Sequence, residues 1–385
     1  MTEKHRLALA GVLVLLAGPS FLAETASPCT LALVSARAAK DGRALMWKNR
    51  DTASLDNKLM SLSGPKYAFT AVVDATDARG DEVWGGLNTA GFAVMNSQSD
   101  DLLEGPRTGD GGANGSFMRM ALGECATVGD FEALLVRHKG RLDLAANFGV
   151  IDAQGGACFF ETSRNSFQKF DTADPRIAPF GTIVRTNFAF TSADLLKGGG
   201  FIRFERISHL VESARGAGRI DARFILQEAA RDLVNEKLHS YPLTRPLPED
   251  PAEPLFINTN DTISRNSSAS AIVFEAAPSP DKAYLATMWV ILGQPVAGIA
   301  IPVWPGAGKV PAPAVGAPTA PLNDFARALV AYLYPDRRGR MPQYLSVSRL
   351  RAYGGEGVPA KLQRVENEVL ARTAAKLAEW DKAKP

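Results

Sequence analysis

The most reactive arrangement in this sequence is a cysteine that follows an apolar leader. Cys29 and Thr30 open the run Cys-Thr-Leu-Ala-Leu-Val-Ser, directly after Pro28. If the peptide bond before Cys29 is cut, this one residue presents both a thiol and a free α-amine. The reference pKa of an α-amine is about 7.7–8.0, so it can accept the thiol proton near neutral pH without an imidazole. The resulting thiolate can attack a carbonyl carbon.

The segment before Cys29 has the pattern of a secretory leader. Basic residues at 4–6 precede an apolar run at 7–17, which is shorter than the roughly 20 residues that a membrane-spanning helix needs. Small residues at 23–27 suit a signal peptidase, although the exact cut stays open. We predict a signal peptide or pro-segment at 1–28, a secreted, periplasmic protein and no stable membrane anchor. Pro28 and Ala26 argue against a lipoprotein acylated on Cys29.

The composition argues against a nucleic-acid-binding function. The chain has 385 residues and a formal net charge of +2, which is not the basic footprint of a nucleic-acid-binding protein. We therefore expect no nucleic-acid partner. The two remaining cysteines are Cys125 and Cys158. They either form a disulfide in an oxidising compartment or act as small buried hydrophobic residues.

Two strands are predicted to position Cys29. The runs 30–35 and 44–49 are rich in β-forming residues, and Asp41-Gly42 between them is a strong signal for a tight hairpin. This hairpin places Cys29 at the start of one strand and Asp51 at the end of its neighbour. The strand ends are therefore expected to bring a thiol and a carboxylate together.

The rest of the chain alternates between strand and helix periods without an internal repeat. A second hairpin is predicted at 83–96, and further strands at 147–152, 157–162, 182–187, 270–274, 284–290 and 298–303. Helical spacing occurs at 117–125, 128–138, 201–214 and 222–237. Helices grouped between blocks of antiparallel strands predict an α+β sandwich, with sheets inside and helices on both faces.

The domain organisation follows from composition. We predict a main domain at 29–304, a loop rich in Pro, Ala and Gly at 305–321, and a helical C-terminal extension at 322–385 that packs on the core. The loop at 100–115 is expected to contribute to substrate selection.

The sequence lacks the motifs that several other catalytic chemistries need. The four histidines form no His-Glu-x-x-His motif and there is no Cys-x-x-Cys pair, so the sequence does not indicate a metal site. No Gly-x-Ser-x-Gly elbow and no glycine-rich phosphate loop are present. We predict a reaction without a cofactor.

Eight short blocks of sequence are informative when taken together: 29–30, 40–43, 47–51, 86–96, 185–187, 201–206, 270–274 and 288–295. They resemble the linear-amide N-terminal nucleophile (Ntn) hydrolases, the group of penicillin V acylase, choloylglycine (bile salt) hydrolase and acyl-CoA:6-aminopenicillanate acyltransferase. The resemblance spans about residues 29–304. It implies a four-layer αββα sandwich with antiparallel sheets.

The resemblance also implies roles for individual residues. Cys29 would be nucleophile and base, Asp51 would hold its amine, and Asn96 would supply an oxyanion donor. Asn187 and Arg203 would stabilise the nucleophile or the substrate. Four of these residues have a structural alternative: Cys29 as an inert thiol, Asp51 as a turn former, Asn187 as a strand-end residue and Arg203 on a solvated helix face.

The chain departs from the family pattern next to Asp51. The family has an arginine three residues before this aspartate, where this chain has Lys48, and Arg50 adds a further cation. Lysine lacks the bidentate fork of arginine, so the local charge network is expected to differ.

The expected activity is cleavage of a linear amide through a thioester on Cys29, with a small N-acyl amide as substrate. Transfer of the acyl group to another amine is left open. Two alternatives stand beside it: a dipeptidase of the related cysteine family, and a non-catalytic lipid-anchored or ligand-binding protein. Family members are often multimeric, so a homo-oligomer is compatible with the resemblance.

Overall fold

The computed structural model describes residues 28–105, 113–244, 250, 253–335, 343–352 and 356–383. The predicted leader, except Pro28, and residues 106–112 of the predicted selectivity loop lie outside the described residues.

Fifteen strands are found in these ranges. In chain order they are β1 (Cys29–Val34), β2 (Leu45–Asp51), β3 (Asn57–Ser63), β4 (Ala68–Asp74), β5 (Gly85–Asn88), β6 (Ala93–Gln98), β7 (Ala146–Ile151), β8 (Ala157–Thr162), β9 (Phe167–Asp171), β10 (Thr182–Arg185), β11 (Phe256–Asn258), β12 (Ser268–Glu275), β13 (Thr287–Leu292), β14 (Ile301–Val303) and β15 (Tyr344–Ser346).

The helices described are α1 (Asn114–Glu124), α2 (Val128–His138), α3 (Phe201–Gly216), α4 (Ala222–Gln227), α5 (Pro321–Leu333), α6 (Val347–Ala352) and α7 (Val358–Lys382). Helix α2 begins at a capping box, in which Thr127 and Asp130 each accept a hydrogen bond from the other's backbone N–H.

Most strands belong to two antiparallel sheets. The first has the order β10-β1-β2-β12-β13-β14 and the second β3-β4-β5-β6-β7-β8-β9, while β11 and β15 form a separate pair. The predicted hairpin joins β1 to β2, with Cys29 opposite Arg50. Gly42 in its turn has φ 73°, a conformation that glycine adopts without steric cost.

The side chains between and outside the sheets define four layers. One apolar cluster joins inward-facing residues of both sheets, such as Leu31, Met46, Met95 and Phe159. A second cluster lies between the seven-stranded sheet and helices α1 and α2, and a third lies between the six-stranded sheet and helices α3 and α4. The predicted αββα sandwich with antiparallel sheets is therefore confirmed.

The region predicted as one helix at 222–237 is different in the structure. Helix α4 ends at Gln227, and only a short 3₁₀ turn follows at 229–231. The backbone carbonyl of Asp232 accepts a hydrogen bond from the Ser264 N–H, and its carboxylate binds Arg206. Tertiary contacts thus replace the helical hydrogen bonds that the periodicity predicts.

Helix α7 is held by a buried ion pair. Glu366, 1% exposed, accepts a hydrogen bond from Arg231 and one from the backbone N–H of Ala300 at 2.8 Å. Arg231 also donates to the carbonyl of Gly298 at 3.1 Å. These contacts connect the C-terminal segment to the six-stranded sheet.

We expect Glu366→Ala to lower the free energy of unfolding by about 3–5 kcal/mol, because it leaves the Arg231 charge buried without its partner. Urea unfolding at pH 7 measures this change. Glu368 on the same helix is a matched control: its ion pair with Arg372 is exposed, so Glu368→Ala should cost less than about 1 kcal/mol. Equal effects of the two substitutions would contradict a role for Glu366 in holding the helix.

Candidate active site around Cys29

The Cys29 side chain lies inside the sandwich. It is 3% exposed and belongs to the apolar cluster between the sheets. Because side chains alternate along a strand, β1 directs Cys29, Leu31 and Leu33 to this interior and Ala32 to the helical layer. The thiol is thus placed on the face that the seven-stranded sheet covers.

Asn187 and Arg203 hold the backbone of Cys29. The Cys29 nitrogen donates to Asn187 Oδ1 at 2.7 Å, and Arg203 donates to the Cys29 carbonyl oxygen. Arg203 also donates to Thr30 Oγ1 at 3.0 Å and to Asn187 Oδ1 at 2.9 Å. Asn187 in turn donates to the carbonyl of Gln98 at 2.8 Å. The structure therefore brings Cys29 together with two residues that lie more than 150 positions away in the sequence.

Arg203 is buried rather than on a solvated helix face. It is 1% exposed, and burial lowers its pKa to about 10, with Arg265 adding to the effect and Asp51 and Cys29 opposing it. It remains a cation at neutral pH. Gly200 before the helix makes room for it: this glycine has φ 81°, and a Cβ there would lie 2.4 Å from Arg203 Nη2.

Asp51 is fully buried at the end of β2. Arg265 donates to its Oδ2 at 3.0 Å, and the Ser268 hydroxyl donates to Oδ1. Burial raises the pKa of Asp51, while Arg265 and Arg203 act against this rise. In the chain with Pro28 attached, the Cys29 nitrogen donates to Asn187, so the predicted bond from Asp51 to a free amine stays a prediction.

Lys48 and Asn96 meet in the interior. Lys48 Nζ donates to Asn96 Oδ1 at 2.9 Å and to the carbonyl of Trp84 at 2.8 Å. Lys48 is 1% exposed and Asn96 4% exposed. Burial lowers the pKa of Lys48 to about 8, and the Cys29 thiol acts in the opposite direction.

Arg50 belongs to a separate charge network beside this pair. Its guanidinium forms an ion pair with Asp74 at 2.8 Å, donates to Asn57 Oδ1 at 2.6 Å and stacks 4.4 Å above the centre of the Trp84 ring. Burial lowers its pKa, against the effect of Asp74. Both residues contact Trp84, Lys48 through its carbonyl and Arg50 through its ring, but their side-chain partners differ: Asn96 for Lys48, Asp74 and Asn57 for Arg50.

Sequence reasoning missed Arg265 and Ser268, the two partners of Asp51. Both lie at or just before the start of β12, which pairs with β2 in antiparallel register. A strand predicted at 270–274 was the available signal. The local pattern does not show that this strand pairs with β2, and it is this pairing that places Arg265 and Ser268 beside Asp51.

The other two cysteines lie in the layer between the seven-stranded sheet and its helices. Cys125 and Cys158 are buried thiols that are not bonded to each other. Burial raises the pKa of each to about 12, which keeps them protonated and unreactive.

Within the described ranges, no group of three or more His, Cys, Asp or Glu side chains could hold a metal ion. None of the helices in those ranges is long and apolar enough to cross a membrane.

The arrangement can support acyl transfer chemistry. Cys29 lies near the cations Lys48 and Arg203, and Asn187 holds its backbone nitrogen. The buried carboxylate of Asp51 ends the neighbouring strand. These groups can orient an amine, stabilise an anion and exclude bulk water.

The chain matches no protein-family model and no curated protein. Among solved structures, it is similar to two variants of conjugated bile acid hydrolase from Clostridium perfringens, each at 11% identity and a TM-score of 0.44. The aligned part covers 73% of this chain and 93% or 94% of the other. It is also similar to penicillin V acylase from Agrobacterium tumefaciens, at 13% identity and a TM-score of 0.42, over 72% of this chain and 86% of the other.

Proposed function

We propose that this protein is a secreted, periplasmic cysteine hydrolase of linear amides, whose nucleophile is Cys29 after removal of residues 1–28. The observation that carries the proposal is the environment of Cys29 in the structure. Its thiol is buried between the sheets, its nitrogen is held by Asn187 and its carbonyl by Arg203. A chain that starts at Cys29 would have its α-amine anchored next to its own thiol.

In the first half of the reaction, the α-amine of Cys29 takes the thiol proton. The sulfur attacks the amide carbonyl carbon, an S–C bond forms, and the negative charge moves to the carbonyl oxygen. The Asn96 amide can donate a hydrogen bond to this oxyanion. Collapse breaks the C–N bond, and the α-ammonium returns its proton to the leaving amine.

In the second half, water attacks the thioester carbonyl and the α-amine takes a proton from it. The S–C bond breaks, the carboxylic acid leaves, and the thiol regains its proton. An amine in place of water would complete an acyl transfer by the same steps. The buried Asp51 carboxylate lies at the end of the neighbouring strand and is suited to orient the α-ammonium.

We expect the full chain to be processed when it is secreted from a bacterial host. The intact mass of the secreted protein should then match a chain that begins at an unmodified Cys29. Incubation with penicillin V, a glycine-conjugated bile acid and an N-acyl amino acid should release acid and amine from at least one of them. Rapid acid quenching should then trap one acyl group on Cys29, located by peptide mapping.

Two results would overturn the proposal. A mature chain that keeps Pro28 or carries lipid on Cys29 has no free α-amine. Release of amino acids from dipeptides, without turnover of any N-acyl amide, would instead indicate a dipeptidase.

A further inference from the structure

We propose that Lys48 is a positioning residue: by holding the side-chain oxygen of Asn96, it presents the NH₂ group of that amide to the substrate oxyanion. The inference rests on the proposed cysteine mechanism and adds to it the device that orients the donor. It starts from the 2.9 Å hydrogen bond between Lys48 Nζ and Asn96 Oδ1.

The chemistry of the ammonium group decides which way the amide faces. A lysine ammonium has three donors and no acceptor, so only the oxygen of Asn96 can face it. A second donor of Lys48 is used by the carbonyl of Trp84 at 2.8 Å, which fixes the position of Nζ from another direction. The amide NH₂ must therefore point away from Lys48.

That NH₂ group is left as a donor for a ligand. Asn96 is 4% exposed, and its Nδ2 donates to no atom in the part of the chain that the structure describes. Asn96 Nδ2 is not among the fully buried side-chain atoms that lack a partner, so it keeps access to a ligand, and a second contact is needed to fix its orientation. The bond from Lys48 is that contact.

The thiol shares the same interior space. Strand β1 packs against β6, the strand that bears Asn96. Lys48 is close enough to Cys29 for their charges to interact. Lys48 thus contacts the amide donor directly and lies near the nucleophile.

The orientation should depend on pH. Burial lowers the pKa of Lys48 to about 8, while the charged or titratable groups that act on it are the Cys29 thiol on β1 and Arg50 and Asp51 on β2. Among the described residues of the second sheet and its connections, Lys48 contacts the uncharged carbonyl of Trp84, just before β5, and the Asn96 amide on β6. A neutral amine has a lone pair that can accept from the amide NH₂, so deprotonation releases the constraint on Asn96.

A double-mutant cycle tests the connection. We expect Lys48→Met and Asn96→Ala each to lower kcat about 10²-fold or more, the size of a lost oxyanion donor, with the double variant no worse than Asn96→Ala alone. Lys58→Met is a matched control, because Lys58 is also buried but donates to the carbonyl of Ala75, away from the site; its kcat should be unchanged.

The pH profile gives an independent readout. Activity of the wild type should rise as the α-amine becomes neutral and fall again as pH passes about 8, where Lys48 loses its proton. In Lys48→Arg the guanidinium stays charged, so the alkaline fall should move upward by at least about one pH unit. If Lys48→Met does not fold, the pH profile of Lys48→Arg still tests the proposal.

Two outcomes would contradict the proposal: losses from Lys48→Met and Asn96→Ala that multiply in the double variant, or an alkaline limb unchanged in Lys48→Arg. Both leave the cysteine mechanism standing, provided that the wild type forms the thioester. Absence of any thioester in the wild type would instead remove the proposed function.

Discussion

Replacing Cys29 with alanine is expected to abolish amide hydrolysis, with a loss of at least about 10³-fold in kcat, because no other group can form the thioester. The fold should persist: Asn187 and Arg203 bind backbone atoms of Cys29, which alanine keeps. Turnover of the best N-acyl amide, with thermal unfolding measured in parallel, checks both expectations. Cys29→Ser should be inactive as well, since a hydroxyl is a far weaker acid than a thiol.

Cys125→Ala is the matched control for loss of a buried thiol. Cys125 is 1% exposed, but it lies in the layer between the seven-stranded sheet and its helices, away from the interior that contains Cys29. Its replacement should leave kcat within about twofold of the wild-type value. Full hydrolytic activity in Cys29→Ala would disprove a cysteine nucleophile.

Replacing Arg203 with leucine should damage both activity and stability. Arg203 supplies donors to the Cys29 carbonyl, to Thr30 Oγ1 and to Asn187 Oδ1. Leucine leaves these buried acceptors without their charged donor, which should cost about 3 kcal/mol or more in the free energy of unfolding. Because the nitrogen and carbonyl of Cys29 then lose their common anchor, kcat should fall by about 10²-fold or more.

Arg206→Leu separates these two effects. Arg206 lies one turn further along α3 and forms ion pairs with Asp232 and Glu236 instead of contacts with Cys29. It should lower stability while leaving the kcat of the folded protein near the wild-type value. Arg203→Lys keeps the charge but not the planar fork, so it should restore less than half of the lost activity. Equal kcat values for Arg203→Leu and Arg206→Leu would place Arg203 outside the site.

Local patterns were sufficient for much of the architecture. Asp41-Gly42 predicted the β1–β2 hairpin, and the helical spacing at 128–138 predicted α2, because both signals act within a short stretch of the chain. The same logic failed at 222–237. There, the backbone of Asp232 bonds to Ser264, a residue of a distant segment, and the helix ends early.

The sequence by itself determined which strand bears Cys29, since a cysteine and a turn are local features. Removal of a leader to free the α-amine of Cys29 stays a prediction. Only the tertiary structure decided which groups surround that thiol. Arg265 reaches Asp51 across 214 residues, and Lys48 meets Asn96 across 48, because sheet order and the facing of the two sheets bring them together. Strand pairing order has no local signal, so neither contact follows from residue spacing.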